Sequence, residues 1–394
     1  MKNNLSETNK VEELLSRGIE EIIDRANLER KLKSGKKLRI KLGIDPTSSN
    51  IHLGRSIPLL KLRDFQELGH KIVLIIGDFT GIIGDTSDKE SERPMLSEEV
   101  VNANLKTYIK QAAKIIDIDK AEIYRNSKWL SKLKYKDIGN QANVFSLNEF
   151  ISRDNISRRL EAGKRISLRE LLYPLMQGYD SVEVKADVEI GGTDQRFNLL
   201  AGRDLQKLYG QEPQDIITNP LIEGLDGRKM SSSFGNTVNL LDTPNDMYGK
   251  IMSLQDDFII KYFILLTRVD LKTISEYKDS LKTGANPRDI KMILASKIVE
   301  MYHSAKDAQD AQNYFINTFS KKVTPDDIVK FSPKEYDLVS VLVETALVSS
   351  RTEARRIIEQ GGIKINSTTV KDVSLVIAPG SVLQKGKIKF VEII

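Results

Sequence analysis

The sequence predicts an α/β protein built on a parallel sheet, followed by a helical region and a small α+β module. Three observations predict this. A strand, a helix and a second strand follow one another within about 40 residues near the N-terminus, the spacing of a βαβ unit. Strand and helix alternate again from Val182 onward. Residues 337–394 then change from long helical periodicity to two short helices and short β pieces.

Taken in order, residues 9–24 read as an amphipathic helix, with Leu14, Leu15, Ile19, Ile22 and Ile23 at helical spacing. Leu38–Ile44 alternates like a strand and stops at Asp45-Pro46-Thr47, a turn signal. A helix fits His52–Leu68 and ends at Gly69. Ile72–Ile76 is a continuous apolar run, suited to a strand covered on both faces. The stretch 97–180 reads as mostly helical, interrupting the sheet. Val182–Ile190 is the next strand candidate, Gln195–Leu208 a helix and Ile216-Ile217 a shorter strand. From Asp242 to Thr318 the pattern is helical, with Phe258, Tyr262, Phe263, Leu265 and Leu266 on a buried stripe. A linker with Pro325 and Pro333 follows. The last module offers helices at Leu338–Leu347 and Ser350–Gln360, a Gly361-Gly362 turn, and β pieces at Ile363–Ile365 and Ile388–Val391.

Composition bounds the chemistry. The chain has 394 residues, 40% of them hydrophobic and 29% charged, which fits an ordinary globular protein of two to four domains. The net charge of +5 is mild, so any polyanion site must rest on local patches. The absence of Cys excludes disulfides, thiolate metal sites and a Cys nucleophile. Three His residues make a multi-His metal centre a poor expectation. No apolar run is long enough for a membrane span, and the charged N-terminal stretch has no signal-peptide core. A cytoplasmic location, without membrane partners, is expected.

Five segments carry residues suited to chemistry. In the first, Gly43-Ile44-Asp45-Pro46-Thr47 precedes His52-Leu53-Gly54-Arg55 at a helix start, where backbone N–H groups and the helix dipole favour phosphate. It reads equally as a turn and a cap with a surface His. In the second, Gly77 to Arg93 follows a buried strand, where open α/β sheets hold ligands; Asp85 suits an ammonium, and Lys89 and Arg93 suit phosphates. A long polar surface loop is the alternative. In the third, Tyr173, Gln177 and Asp180 share one helix face, either a pocket wall or a solvated stripe, and Pro174 suits a first helical turn. The fourth is Gly191-Gly192-Thr193-Asp194-Gln195, a strand-to-helix turn. The fifth, Gly227 to Asn236, combines basic, hydroxyl and Gly residues and reads as a phosphate loop or a flexible basic loop.

Together these segments resemble the tyrosyl-tRNA synthetases, class I aminoacyl-tRNA synthetases of bacterial type, in order and spacing across nearly the whole chain. His52-Leu53-Gly54-Arg55 resembles the His-Ile-Gly-His signature, and Lys229-Met230-Ser231-Ser232-Ser233 resembles Lys-Met-Ser-Lys-Ser. The resemblance implies a Rossmann-like catalytic domain over 1–225 with a helical connective insertion at about 97–180. It implies an α-helical anticodon-binding domain with the signature loop over 226–325, and a ribosomal-protein-like RNA-binding domain over 337–394. It further implies tyrosine, ATP with Mg²⁺ and tRNA(Tyr) as partners, no resident metal, and a homodimer formed through the insertion.

Carried over residue by residue, the resemblance gives Gly43, Asp45, His52, Gly54, Asp194 and Lys229 to ATP. It gives Asp85, Tyr173, Gln177, Asp180 and Gln195 to tyrosine, with Asp180 taking the phenol hydroxyl. His52, Lys229, Lys89 and Arg93 would act on the departing pyrophosphate. Arg158 and Arg159, in a basic cluster with Arg153, Lys164 and Arg165, would meet the tRNA acceptor stem, and Arg351, Arg355 and Arg356 would form a basic face in the tail. Asp256 and Asp257 are candidates for reading a guanine in the anticodon. Three positions depart from the family pattern: Arg55 replaces the second signature His, Ser232 the second signature Lys, and Lys41 stands where many bacterial members carry a Tyr that touches the substrate hydroxyl. The chemistry implied is attack of the tyrosine carboxylate on the ATP α-phosphate, then acyl transfer to tRNA, with no covalent enzyme intermediate.

Overall fold

The computed structural model describes residues 7–85, 96–320, 328–386 and 389–394. Lys89 and Arg93 lie outside the described residues. The chain forms two compact units, residues 1–243 with 250–302, and residues 244–249 with 303–394.

The first unit is organised by a six-stranded sheet. Its strands are β1 (Glu21–Ile23), β2 (Arg39–Ile44), β3 (Lys71–Ile76), β4 (Glu122–Arg125), β5 (Val188–Gly192) and β6 (Asp215–Asn219), in spatial order β1-β6-β5-β2-β3-β4. All neighbours are parallel except β1, which runs antiparallel to β6. The chain builds outward from β2 in one direction through β3 and β4, and from β5 in the other through β6. The crevice between β2 and β5 is therefore the topological switch point, where open α/β sheets place ligands. Leu42, Val73, Leu74, Ile75, Val188, Ile190, Ile216 and Ile217 are all buried, and the burial of β3 on both faces is why Ile72–Ile76 reads as a continuous apolar run.

The helices preceding the site are α1 (Glu7–Leu14), α2 (Arg25–Lys33), α3 (Leu53–Glu67), α4 (Thr80–Ile83) and α5 (Glu98–Ala112). Short helices α6 (Ser127–Leu130), α7 (Tyr135–Ala142), α8 (Leu147–Ile151) and α9 (Asp154–Glu161) lead to α10 (Leu168–Val184), and α11 (Arg196–Leu208) follows β5. Beyond α12 (Pro244–Met252), helices α13 (Ile259–Leu266), α14 (Leu271–Lys282) and α15 (Pro287–Tyr302) complete the helical region. Helix α13 packs in the first unit against α3, and Tyr302 at the end of α15 donates to the hydroxyl of Ser56 at 3.0 Å. Asp256 is engaged by Lys291 at 2.8 Å.

Several local expectations are corrected. The helix read over 9–24 ends at Leu14; Gly18 takes φ +63° and Ile22 and Ile23 enter β1, because the open side of β6 offers hydrogen bonds that an isolated turn of helix lacks. The strand read at Val182–Ile190 begins only at Val188, since α10 runs on to Val184 and stops at the left-handed Lys185, φ 49°. Strand β4 lies inside the stretch read as helical insertion and joins the sheet beside β3. Pro174 sits in the interior of α10, because that helix starts at Leu168 behind a Ser167–Glu170 capping box.

The second unit carries α16 (Ala305–Phe315), then a five-stranded sheet made of β7 (Val329–Phe331), β8 (Ile363–Ile365), β9 (Thr368–Val370), β10 (Val382–Lys385) and β11 (Lys389–Ile393). Two helices, α17 (Leu338–Glu344) and α18 (Arg351–Glu359), share with it a core including Leu338, Leu342, Ile358, Leu383 and Val391. The linker read around Pro333 thus contributes β7, which pairs in parallel with β11.

Candidate active site

A cavity of about 570 Å³ opens over the switch point. Gly43, Asp45, His52, Gly54, Asp85, Tyr173, Gln177, Asp180, Asp194, Gln195 and Lys229 all line it. These residues come from five separated segments, so the fold brings together what the sequence keeps apart.

One wall is the face of α10. Tyr173, Gln177 and Asp180 are all buried, which makes this polar stripe a pocket wall. Asp180 accepts from Trp129 Nε1 at 2.7 Å and from Asn126 Nδ2 at 3.2 Å. Burial pushes its carboxyl up to about 7, against the opposing pull of Lys41, Trp129 and Asn126. Tyr173 donates its hydroxyl to Asp45 Oδ2 at 2.7 Å, and burial beside Asp45 and Asp85 raises the phenol well above its usual value. It therefore stays a donor. Asp45 Oδ1 also accepts from Thr80 Oγ1 at 2.7 Å. Gly77 is needed beside this pair, because a Cβ there would fall 1.9 Å from Asp45 Oδ1.

The opposite wall joins the two signature segments. His52 caps α3, its Nδ1 accepting from the N–H of Arg55 at 3.4 Å. That bond sets the tautomer with the proton on Nε2. Backbone bonds from Leu53 N–H to Val238 at 2.8 Å and from Leu240 N–H to Ile51 at 2.9 Å fasten the segment after the loop to the segment before α3. Arg55 also lines the cavity; its guanidinium donates to Tyr108, to Ser48 Oγ at 3.3 Å and to Thr47 Oγ1 at 3.1 Å. A cation thus stands where the signature has its second His.

The Gly227–Asn236 segment is organised by one side chain. Asn236 Oδ1 accepts from Ser231 N–H at 2.9 Å, while its Nδ2 donates to Asp226 at 2.6 Å and to the Lys229 carbonyl at 3.1 Å. Arg228 pairs with Asp226 at 2.5 Å and lies over the Phe234 ring at 4.5 Å. Lys229 makes an ion pair of 2.9 Å with Asp194, which the resemblance also gives to ATP.

Three residues were missed by sequence reasoning. Asn126 and Trp129 follow β4, a strand too short to stand out, and nothing in their local pattern marks them. Asn236 lies within a segment that was singled out, but its role depends on a turn that only the fold creates. One assignment is corrected: Arg159 is 1% exposed and forms a bidentate pair with Glu170 at 2.5 and 3.1 Å, so it cannot lean on a tRNA. Arg158, Arg355 and Arg356 are exposed, and Arg351 donates to Ser340 Oγ at 3.1 Å beside Glu335.

A family model described as tRNA synthetases class I (W and Y) matches residues 33–320, and one described as a tyrosine--tRNA ligase SYY-like C-terminal domain matches 318–391. The tyrosine--tRNA ligase of Mannheimia succiniciproducens is 45% identical over 99% of both chains. That of Thermotoga maritima is 44% identical over 96% of both. In fold, the chain is similar to the tyrosyl-tRNA synthetase of Archaeoglobus fulgidus solved with L-tyrosine, with TM-score 0.62 and 24% identity, covering 77% of this chain and 99% of that one. A match across most of the chain and relatives aligned over nearly their whole length lead to one conclusion: the chain belongs to the tyrosyl-tRNA synthetases of class I.

Proposed function

We propose that the cavity holds tyrosine against the α10 face and ATP between the two signature segments. As a member of its family the protein attaches tyrosine to tRNA in two steps, through tyrosyl-adenylate with release of pyrophosphate. In this reading the phenol donates to Asp180, which also accepts from Trp129 and Asn126. Asp85 takes the ammonium beside Tyr173 and Gln177, and Gln195 lies near the carboxylate. The ATP phosphates lie at the α3 N-terminus among His52, Gly54 and Arg55, and Asp45, Gly43 and Asp194 hold the rest of the nucleotide. Lys229, with Lys89 and Arg93, meets charge on the departing pyrophosphate. Mg²⁺ arrives with ATP. A pocket built to bond a phenol rejects an analogue without the hydroxyl because a buried polar group is then stranded, tyrosyl enzymes being the standard case of this rule.

The wider organisation belongs to the same reading: a catalytic domain over 1–225, a helical anticodon domain over 226–325 and an RNA-binding module over 337–394. The insertion exposes Tyr135 at 95% and Leu147 at 65%, which suits a second copy of the chain as partner. Exposed Arg158 and the arginines of α18 suit tRNA phosphates. No helix among the described residues is long and apolar enough to cross a membrane, and the cytoplasm is the proposed location.

The observation that carries this reading is Asp180: a buried carboxylate, held by two donors, in the same cavity as both signature segments. Pyrophosphate exchange measured with each amino acid tests it. Tyrosine alone should support exchange, and Asp180→Asn should reduce tyrosine-over-phenylalanine discrimination by about 1.5–3 kcal/mol. Exchange with no amino acid would leave an RNA-binding protein that kept only the fold.

A further inference from the structure

Lys41 lies wholly buried on β2, opposite Glu189 of β5 in the parallel register. Its ammonium has three protons and three partners: the Gln177 carbonyl at 2.8 Å, Ser181 Oγ at 2.7 Å and Glu189 Oε1 at 2.8 Å. With every donor committed, Lys41 has none left for a substrate. Its partners are more telling. Gln177 and Ser181 flank Asp180 on α10, so one ammonium grips the helix on both sides of the proposed phenol acceptor. Glu189 extends the grip, accepting from Gln177 Nε2 at 3.1 Å, Ser181 Oγ at 3.0 Å and Gln214 Nε2 at 2.5 Å. Gln177 Oε1 in turn accepts from Asn198 at 3.0 Å.

We propose that Lys41 is a positioning residue for tyrosine specificity: through Gln177 and Ser181 it fixes the direction of the Asp180 carboxylate, and its charge keeps that carboxylate an acceptor. The proposal rests on Asp180 taking the substrate hydroxyl. Four groups act on Asp180: Trp129 and Asn126 from the segment after β4, Lys41 from β2 and Glu189 from β5. Without Lys41, the negative Glu189 would face Asp180 uncompensated, and Asp180 would hold its proton to higher pH. A cation bonded to the residues on either side of the acceptor thus does indirectly what a hydroxyl at this position would do by direct contact.

The chain has a single Trp, Trp129, and it donates to Asp180, so its fluorescence reports tyrosine binding directly. Lys41→Met alone strands Glu189 and is expected to destabilise, so the decisive variant is K41M/E189Q, which neutralises both partners and keeps the amide as a hydrogen-bonding group. Its melting temperature should approach that of the parent. Its tyrosine affinity should fall roughly tenfold with ATP affinity retained. Because Lys41 pulls the Asp180 carboxyl down more than Glu189 pushes it up, the binding profile should still move to higher pH once both charges are gone. A folded double variant with tyrosine affinity within twofold of the parent, and an unmoved profile, overturns the proposal. If that variant does not fold, Lys41→Arg keeps the charge but loses the three-point grip. Weaker tyrosine binding with ATP affinity and melting temperature retained supports the proposal; unchanged tyrosine binding, or loss of all three together, overturns it, the last in favour of a structural role alone. Asp180→Asn is run in parallel: if its tyrosine binding is unchanged, the Asp180 assignment itself has failed, and the proposal falls with it.

Discussion

Gly54 donates its backbone N–H to the Sδ of Met230 at 3.3 Å. This bond ties the first turn of α3 directly to the Lys229–Ser233 segment, two signatures separated by most of the catalytic sheet. It also occupies a donor that the helix start would offer to a phosphate. In this state the loop serves as its own ligand: Met230 at the helix N-terminus, Lys229 on Asp194.

That arrangement sharpens what Lys229 should do. To meet the leaving group it must release Asp194, so its interaction with phosphate is realised late, as charge builds in the transition state. Lys229→Ala should slow adenylate formation roughly 10²–10³-fold, with equilibrium ATP affinity little changed. Single-turnover kinetics beside an ATP titration decides. A normal rate would make Lys229 a loop lysine, and a pure affinity loss would make it a ground-state contact.

Asp180 gives a pH dependence of definite sign. Its folded carboxyl lies up at about 7, raised by burial. The folded chain therefore binds this proton more tightly than the unfolded chain, and the group's contribution to stability falls as pH rises from about 4 through 7. Tyrosine affinity runs the other way, because the phenol donates best to the ionised carboxylate. Binding followed through Trp129 should tighten about tenfold from pH 6 to pH 8. A flat profile would show that Asp180 does not titrate in the pocket.

The buried Arg159–Glu170 pair should behave as structure. Removing one partner leaves the other uncompensated, so Arg159→Ala should cost roughly 3–5 kcal/mol in denaturant unfolding. The folded fraction should keep its KM for tRNA. A stable variant with a raised KM for tRNA would return Arg159 to the RNA surface.

The second unit has its own apolar core, and β7 belongs to it, so the boundary for removing the tail lies before Val329. A chain ending at Ser320 should retain tyrosine-dependent pyrophosphate exchange and lose most tRNA charging. Equal loss of both would make the tail part of the catalytic fold.

The sequence was informative where one element decides a residue's environment. The alternation of β2 and the apolar run of β3 named themselves, and the spacing of Tyr173, Gln177 and Asp180 placed them on one face. It was silent where the partner comes from afar. Ile22 and Ile23 satisfy a helical pattern as well as a strand, and only the open side of β6 selects between them. Val182 and Val184 are β-branched, yet α10 carries them because the helix is held by its cap and by Lys41. Arg159 looked like surface charge because Glu170 lies a helix away. Trp129 and Asn126 became legible only once β4 had delivered them to Asp180.

Strand β1 has only three residues, and no catalytic group comes from it. Its significance lies in what it covers. β6 is buried along its whole length and would otherwise end the sheet with an open row of hydrogen-bonding groups. Asn219 donates to the Gly18 carbonyl at 2.6 Å, and Arg196 pairs with Glu21 at 2.6 Å, pinning β1 in place. A chain begun at Lys33, where the family match begins, would leave β6 as an uncovered edge strand, a template for adding strands from other molecules. Covering that edge is thus the part β1 plays, and its removal should be felt in solubility before it is felt in turnover.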